Sequence, residues 1–229
     1  MKDFQGIIFD MDGVLVDSEP LFLKAINRVL TTEGVSPISE EENEQFLIGT
    51  TVEETWRRLK EGRLNEVRAL PRPIAAYIQR YDTAVRQVLQ EELSPQPGVT
   101  HLLEECVRRG LPKAVASSSL RSWVNLKLEA IKLQSAFDVV LGGDDVVNGK
   151  PAPDIYQLAA QCLGLPPQKC IAIEDSPIGI ASAVGSGAYT IAVRTYSTRN
   201  QDISSAHTIL DSLEDFDLSL LAKGSNRTE

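Results

Sequence analysis

From about residue 96 onward, short apolar runs alternate with stretches whose apolar residues recur at helical spacing. Runs of about four to eight residues, rich in β-branched side chains and bounded by glycine or polar residues, are typical of buried strands. Four such runs in the chain are Gly6–Phe9, Lys113–Ala116, Asp138–Leu141 and Cys170–Ile173. Strands that alternate with helices predict an α/β fold, a doubly wound parallel sheet with helices on both faces.

About 100 residues separate the first run from the second, far more than a crossover between parallel strands needs. Apolar residues in this gap recur at helical spacing, and breaks at 33–37, 48–50 and 71–73 divide it into about four helices. We therefore predict a Rossmann-like core, residues 1–15 and 93–229, and an all-helical domain inserted at residues 16–92. Because the insertion leaves the chain where the first strand ends, it is placed to act as a cap.

Two aspartates, Asp10 and Asp12, directly follow the first strand and precede Gly13. Residues i and i+2 of an extended chain point the same way, so both carboxylates can face one small volume. Buried carboxylates need compensation, which a hard cation provides, and such a cation can also bind an anionic substrate. The alternative is an acidic turn in which Gly13 supplies the turn geometry.

Polar groups also follow the other three strands. These are the hydroxyl cluster Ser117-Ser118-Ser119, Lys150 in the loop Gly142–Pro153, and the second carboxylate pair Glu174-Asp175. The carboxyl ends of parallel strands lie at one edge, where open α/β sheets bind ligands, and hydroxyl and N–H groups ahead of a helix suit phosphate.

Each group also has a simpler interpretation. The serines would then cap a helix, Lys150 would be a solvated loop residue, and Ser176-Pro177 would begin a helix. Taken together, these interpretations leave unexplained why the groups fall at four strand ends, so we expect the groups to converge on one site.

Composition excludes several classes of function. The 229 residues carry a formal charge of −9, with a pI near 4.9, which argues against nucleic acid or an anionic membrane as the main partner. There is no long apolar run, and the amino terminus enters a strand without room for a signal peptide, so a cytoplasmic protein is predicted. Three widely spaced cysteines and two histidines outside any motif favour neither a disulfide framework nor a zinc site.

Three segments of the chain resemble motifs of the haloacid-dehalogenase-like superfamily, in the branch of β-phosphoglucomutase and the small sugar phosphatases. The segments are Phe9–Glu19, Lys150–Asp154 and Glu174–Ile180, and Ser117 matches a fourth motif. The resemblance runs from the first strand to about Val193, and the motifs occur in the order of the family.

The resemblance implies a role for each of these residues. Asp10 is the implied nucleophile, which becomes an aspartyl phosphate, and Asp12 is the implied general acid and base. Ser117 and Lys150 would hold the phosphoryl oxygens. Magnesium is the implied cofactor, with Asp10, the backbone carbonyl of Asp12, Glu174 and Asp175 as ligands. Residues expected to bind substrate are Gly13, Ser118 and Ser119 in the core and Gly49, Thr50 and Thr51 in the cap, where the alternative is that they end one helix and begin the next.

The predicted function is a magnesium-dependent phosphatase, acting as a monomer on a small phosphorylated metabolite such as a sugar phosphate. The alternative is a phosphotransferase of the β-phosphoglucomutase kind, which would use the same core. In such mutases a histidine and a cap arginine serve the proton chemistry and the distal phosphate. The corresponding positions here are Phe22 and Val52, which disfavours this alternative. Asp12 and the cap disfavour a phosphate-accepting receiver. A dehalogenase is also disfavoured, because it has no use for Asp12 as a proton donor or for a metal.

Overall fold

The structure is a computed structural model that describes residues 3–47, 50–62, 70–196 and 198–223. Its chain divides into two compact units, residues 1–17 with 94–229 and residues 18–93. The first unit contains the sheet, and the described part of the second unit is helical. That the second unit acts as a cap remains a prediction.

Six parallel strands form a single sheet with the order β3-β2-β1-β4-β5-β6. The strands are β1 (Gly6–Phe9), β2 (Lys113–Ala116), β3 (Val139–Leu141), β4 (Cys170–Glu174), β5 (Tyr189–Val193) and β6 (Thr208–Leu210). The strand order runs outward from β1 in both directions, so β1 marks the switch point where doubly wound sheets bind their ligands. The predicted α/β class and parallel sheet are confirmed.

The inner strands are mostly apolar because helices cover both faces of the sheet. Every residue of β1, β2 and β4 is buried, whereas the edge strand β6 is only half-buried. Ile8 of β1 lies between Ala114 of β2 and Ala172 of β4 in register. This alignment brings the carboxyl ends of the central strands to the same level.

The helical unit contains α1 (Glu19–Thr32), α2 (Glu40–Phe46), α3 (Val52–Gly62) and α4 (Ile74–Glu92). A buried stripe on α1, including Ile26 and Leu30, faces α4. The ring of Trp56 on α3 stacks on Tyr77 of α4 with centroids 5.2 Å apart. The unit therefore has an apolar core of its own.

Four helices belong to the unit that contains the sheet: α5 (Val99–Arg109), α6 (Arg121–Ala130), α7 (Asp154–Cys162) and α8 (Pro177–Ser186). Of these, α6, α7 and α8 contact the strands. Each of the four begins shortly after a strand or after the return from the helical unit, so their amino ends lie near the carboxyl edge of the sheet. No helix in the described part of the chain is long and apolar enough to cross a bilayer.

Candidate active site

Asp10 lies at the carboxyl end of β1 and is buried, with 8% of the residue exposed. Its backbone N–H donates to the carbonyl of Ile173 on β4 at 2.9 Å, which fixes it between the two strands. Burial raises the pKa of Asp10 well above its ordinary value, and the neighbouring Glu174 adds to the effect while Lys150 opposes it. A cation bound beside this carboxylate would favour its ionised form.

Lys150 joins three strand ends. Its ammonium group lies 2.5 Å from both Asp10 Oδ1 and Glu174 Oε1 and donates to the carbonyl of Ala116 at 2.9 Å. Only 3% of its side chain is exposed, so the alternative of a solvated loop lysine is wrong. Burial works to lower the pKa of Lys150, but the two carboxylates outweigh it and raise the pKa above its ordinary value.

Glu174 is fully buried and anchors this network. Its Oε1 accepts a hydrogen bond from the hydroxyl of Tyr156 at 2.8 Å, in addition to the one from Lys150. Its Oε2 accepts from the backbone N–H groups of Asp175 and Ser176 and from the Ser176 hydroxyl. Glu174 is thus satisfied on both oxygens. Tyr156 was not predicted from the sequence; its signal is a position on the apolar stripe of α7, six residues after Lys150.

Asp175 completes a carboxylate cluster that fits a hard cation. Oxygens of Asp10, Glu174 and Asp175 lie within 4.8 Å of one another. Burial, and then the proximity of Glu174, raises the pKa of Asp175 to about 7, although the Thr195 hydroxyl donates to it at 3.1 Å. A set of carboxylate oxygens is what magnesium prefers, and a bound cation would favour the ionised form of each.

Gly13 lies directly against Asp175. Its backbone has a φ of +86°, and its N–H donates to the carbonyl of Val16 at 2.7 Å, closing the turn that follows Asp10. A Cβ at this position would run into the carboxylate of Asp175. Glycine is required here both for the backbone conformation and for the close approach.

Asp12 lies outside the cluster of Asp10, Glu174 and Asp175 and pairs with Lys127 of α6. The ammonium group lies 2.5 Å from Asp12 Oδ1 and 2.6 Å from Oδ2, and the Ser119 hydroxyl donates to Oδ2 at 3.4 Å. A role for Lys127 was not predicted from the sequence. Its signal is that it shares the buried stripe of α6 with Val124 and Leu128, where an unpaired lysine would be costly.

The serine cluster after β2 does not cap α6. The first N–H of that helix, from Arg121, donates to Asp144 Oδ1 at 2.7 Å. The Ser117 hydroxyl is buried and accepts from the N–H of Ser119 at 3.1 Å, while Ser118 is exposed. By contrast, Ser176 does cap α8, with Pro177 as its first residue, as the simpler interpretation expected.

Comparison with known proteins identifies the family. The family described as haloacid dehalogenase-like hydrolase matches residues 7–193. The chain belongs to this family. Protein CbbY of Cereibacter sphaeroides is 32% identical over 214 residues, which cover 91% of this chain and 92% of the relative. The phosphorylated carbohydrates phosphatase of Thermotoga maritima is 33% identical over 183 residues, covering 80% and 82%.

A solved structure shows the same fold. A CbbY mutant from Rhodobacter sphaeroides, crystallised with xylulose-1,5-bisphosphate, has a TM-score of 0.74 and 30% identity, covering 96% of this chain and 99% of that one. The resemblance inferred from the motifs is therefore confirmed, and this haloacid dehalogenase-like hydrolase is a phosphoric monoester hydrolase.

The predicted substrate residues of the helical unit form local hydrogen bonds. The Thr50 hydroxyl donates to the carbonyl of Leu47, and the Thr51 hydroxyl accepts from the N–H of Glu54 at the start of α3. Gly49 lies outside the described residues. These contacts are those of helix ends, and contact of Thr50 or Thr51 with substrate remains a prediction.

The described carboxylates and lysines that cluster around Asp10 and Asp12 are unbalanced in charge. Four carboxylates, those of Asp10, Asp12, Glu174 and Asp175, meet the two ammonium groups of Lys127 and Lys150. Two formal negative charges are left over, which is the charge that one divalent cation neutralises. A phosphate dianion brought to this edge would otherwise meet net repulsion.

Proposed function

We propose that this hydrolase is a magnesium-dependent phosphatase that acts on a small sugar phosphate through an aspartyl-phosphate intermediate. The observation that carries the proposal is the position of Asp10 at the switch point of the sheet, 2.5 Å from the Lys150 ammonium group and beside Asp175. A carboxylate, a buried cation and a second carboxylate at one strand end are the groups that phosphoryl transfer requires.

In the first step a carboxylate oxygen of Asp10 attacks phosphorus, and the bond between phosphorus and the sugar oxygen breaks. Asp12 donates a proton to the departing oxygen, so the sugar leaves as an alcohol. Asp12 has 38% of its side chain exposed, which leaves one face open to that oxygen. In the second step Asp12 takes a proton from water, which attacks the aspartyl phosphate and releases phosphate and free Asp10.

Lys150 and Ser117 would bind the oxygens of the transferring group. Lys150 is held in place by Glu174 and the carbonyl of Ala116, so it needs little reorganisation as charge develops. Asp10, Asp175 and the neighbouring Glu174 would hold magnesium, which would neutralise charge on the phosphate when bound. The metal assignment is supported by the clustered oxygens and by the excess of negative charge.

The substrate class is supported by the relatives. One is a phosphatase of phosphorylated carbohydrates, and another was crystallised with xylulose-1,5-bisphosphate. The mutase alternative is disfavoured by Phe22, which is half-buried, and Val52, which is 43% exposed, since neither side chain binds a distal phosphate.

The test is a panel of sugar phosphates incubated with magnesium, with release of inorganic phosphate as the readout. We expect hydrolysis of hexose or smaller sugar phosphates, and little conversion of β-glucose 1-phosphate to glucose 6-phosphate even with a bisphosphate primer. Isomerisation that exceeds phosphate release would establish the mutase instead. The Asp10→Asn variant, assayed in parallel, controls for contaminating phosphatases.

A further inference from the structure

We propose that Lys127 is a positioning residue that holds the Asp12 carboxylate at the place from which it exchanges protons with the leaving oxygen. The inference rests on the proposed function, in which Asp12 is the general acid and base. Its basis is the ion pair between Lys127 of α6 and Asp12, two groups 115 residues apart in the chain.

The pair is buried on one side only. Lys127 has 3% of its side chain exposed, whereas Asp12 has 38% exposed. Burying an ammonium group is costly unless a counter-ion and hydrogen bonds compensate it. Because Lys127 is buried, it therefore stays paired with Asp12. Since Lys127 is covered, it acts through Asp12 and not by contact with substrate.

Contact with both carboxylate oxygens restricts the rotation of Asp12. Lys127 lies within 2.6 Å of each oxygen, and the Ser119 hydroxyl reaches Oδ2 from the loop after β2. A general acid works only within hydrogen-bond reach of the atom it protonates, and a displacement of about 1 Å costs about 100-fold in rate. An Asp12 freed from this pair would sample other rotamers in the solvent to which it is open.

A second lysine provides a matched control. Lys113 begins β2 at the opposite edge of the sheet, is also buried, with 8% of its side chain exposed, and pairs with Asp138 at 3.4 Å. Asp138 is 54% exposed, so the pair has the same construction of a covered lysine and an open carboxylate. Loss of Lys113 removes a buried charge far from Asp10 and Asp12.

The experiment compares Lys127→Met, Lys113→Met, Asp12→Asn and the Asp12→Asn/Lys127→Met double variant. Each is assayed for the single-turnover rate of leaving-group release from an alkyl sugar phosphate and from p-nitrophenyl phosphate, whose leaving group needs little protonation; hydrolysis of the aspartyl phosphate, which both substrates share, does not enter this rate. We expect Lys127→Met to lose about 10- to 100-fold in this rate on the alkyl substrate but only about threefold on the nitrophenyl ester. Lys113→Met should lower the thermal midpoint without slowing one substrate more than the other.

Non-additivity is the second readout. If Lys127 acts through Asp12, the double variant has the single-turnover rate of Asp12→Asn alone, because the group to be positioned is already disabled. Equal losses on the two substrates, or a further loss in the double variant, would overturn the inference. Lys127→Gln is the substitute if the methionine variant does not fold, because glutamine keeps a hydrogen-bond donor. We expect it to slow the alkyl substrate more than the nitrophenyl ester, by a smaller factor than Lys127→Met.

The outcomes also separate this inference from the proposed function. A wild-type enzyme that releases no phosphate, or an Asp12→Asn variant that loses equally on both substrates, contradicts the role of Asp12 itself. If Asp12→Asn slows the alkyl substrate more than the nitrophenyl ester but Lys127→Met does not, the proposed function stands. Only the positioning role of Lys127 is then refuted.

Discussion

The two edges of the sheet bury charged groups in opposite ways. At the amino edge, Lys113 is paired with Asp138, and Glu105 of α5 is bound by both Arg108 and Arg109. At the carboxyl edge, the four described carboxylates of Asp10, Asp12, Glu174 and Asp175 meet two lysines. Fully compensated carboxylates, as at the amino edge, fix structure. An excess of buried negative charge, as at the carboxyl edge, is unstable by itself and indicates a ligand that supplies the missing charge.

The largest effect is expected from Asp10→Asn. The amide fills nearly the same volume but does not attack phosphorus, so kcat should fall by more than about 100-fold. The thermal midpoint should stay the same or rise, because the substitution removes one of the crowded carboxylates. Steady-state kinetics measure kcat, and thermal unfolding measures the midpoint. Retention of more than about a hundredth of the wild-type kcat would contradict covalent catalysis by this residue.

Removal of divalent cations should affect the carboxyl edge of the sheet but not the amino edge. We expect chelation to abolish phosphate release, magnesium to restore it, and calcium to inhibit, because its looser and higher coordination displaces the nucleophile. Magnesium should also raise the thermal midpoint, since it binds the folded state. Asp175→Asn should weaken both the activation and the thermal stabilisation by magnesium. Full activity after exhaustive chelation would refute the metal assignment.

Two glycines with positive φ allow the edges to be compared directly. Gly13 (φ +86°) lies against Asp175, whereas Gly110 (φ +66°), at the end of α5, has open space where a Cβ would be. Alanine at either position should cost about 1 to 2 kcal/mol of stability through backbone strain. Only Gly13→Ala should also reduce kcat, by about 10- to 100-fold, because the new methyl group displaces Asp175. A comparable kcat loss in Gly110→Ala would show that strain alone explains the effect.

The smallest effect is expected at Glu105. Hydrogen bonds from Arg108, then from Arg109, lower the pKa of Glu105 from 4.5 to about 2 against the opposing effect of burial. A carboxylate whose pKa is lower in the folded state contributes stability above its unfolded pKa, and this is lost as the pH falls toward the folded value. Glu105→Gln should therefore lower stability at pH 7, flatten its decline between pH 4.5 and 2, and leave kcat unchanged. Denaturant unfolding at several pH values is the measurement.

The sequence predicted the sheet and the groups at its carboxyl edge because that information is local. A buried strand is a short apolar run, and the polar residue that ends it is the next one or two letters, as for Asp10 and Glu174. Parallel topology then brings such ends together without knowledge of helix packing.

The partners supplied by helices and later loops were not predictable in this way. Lys127 reaches Asp12 because α6 turns one particular face to the sheet, and Tyr156 reaches Glu174 from α7 for the same reason. A helical pattern shows which residues face inward but not which group they meet there. Thr195, which follows β5 and donates to Asp175, lies in a loop whose path depends on tertiary contacts.

The central strand β1 pairs with segments far along the chain. Ile7 lies beside Lys113 on one side and Ile171 on the other. At about 5 to 20 residues per second of synthesis, β1 waits roughly 10 to 30 s for β4 to emerge from the ribosome. Pairing at such sequence separation is also intrinsically slow, since a long loop must close first. The apolar run that ends at Asp10 therefore stays without its strand partners for much of synthesis, and the sheet is completed only late.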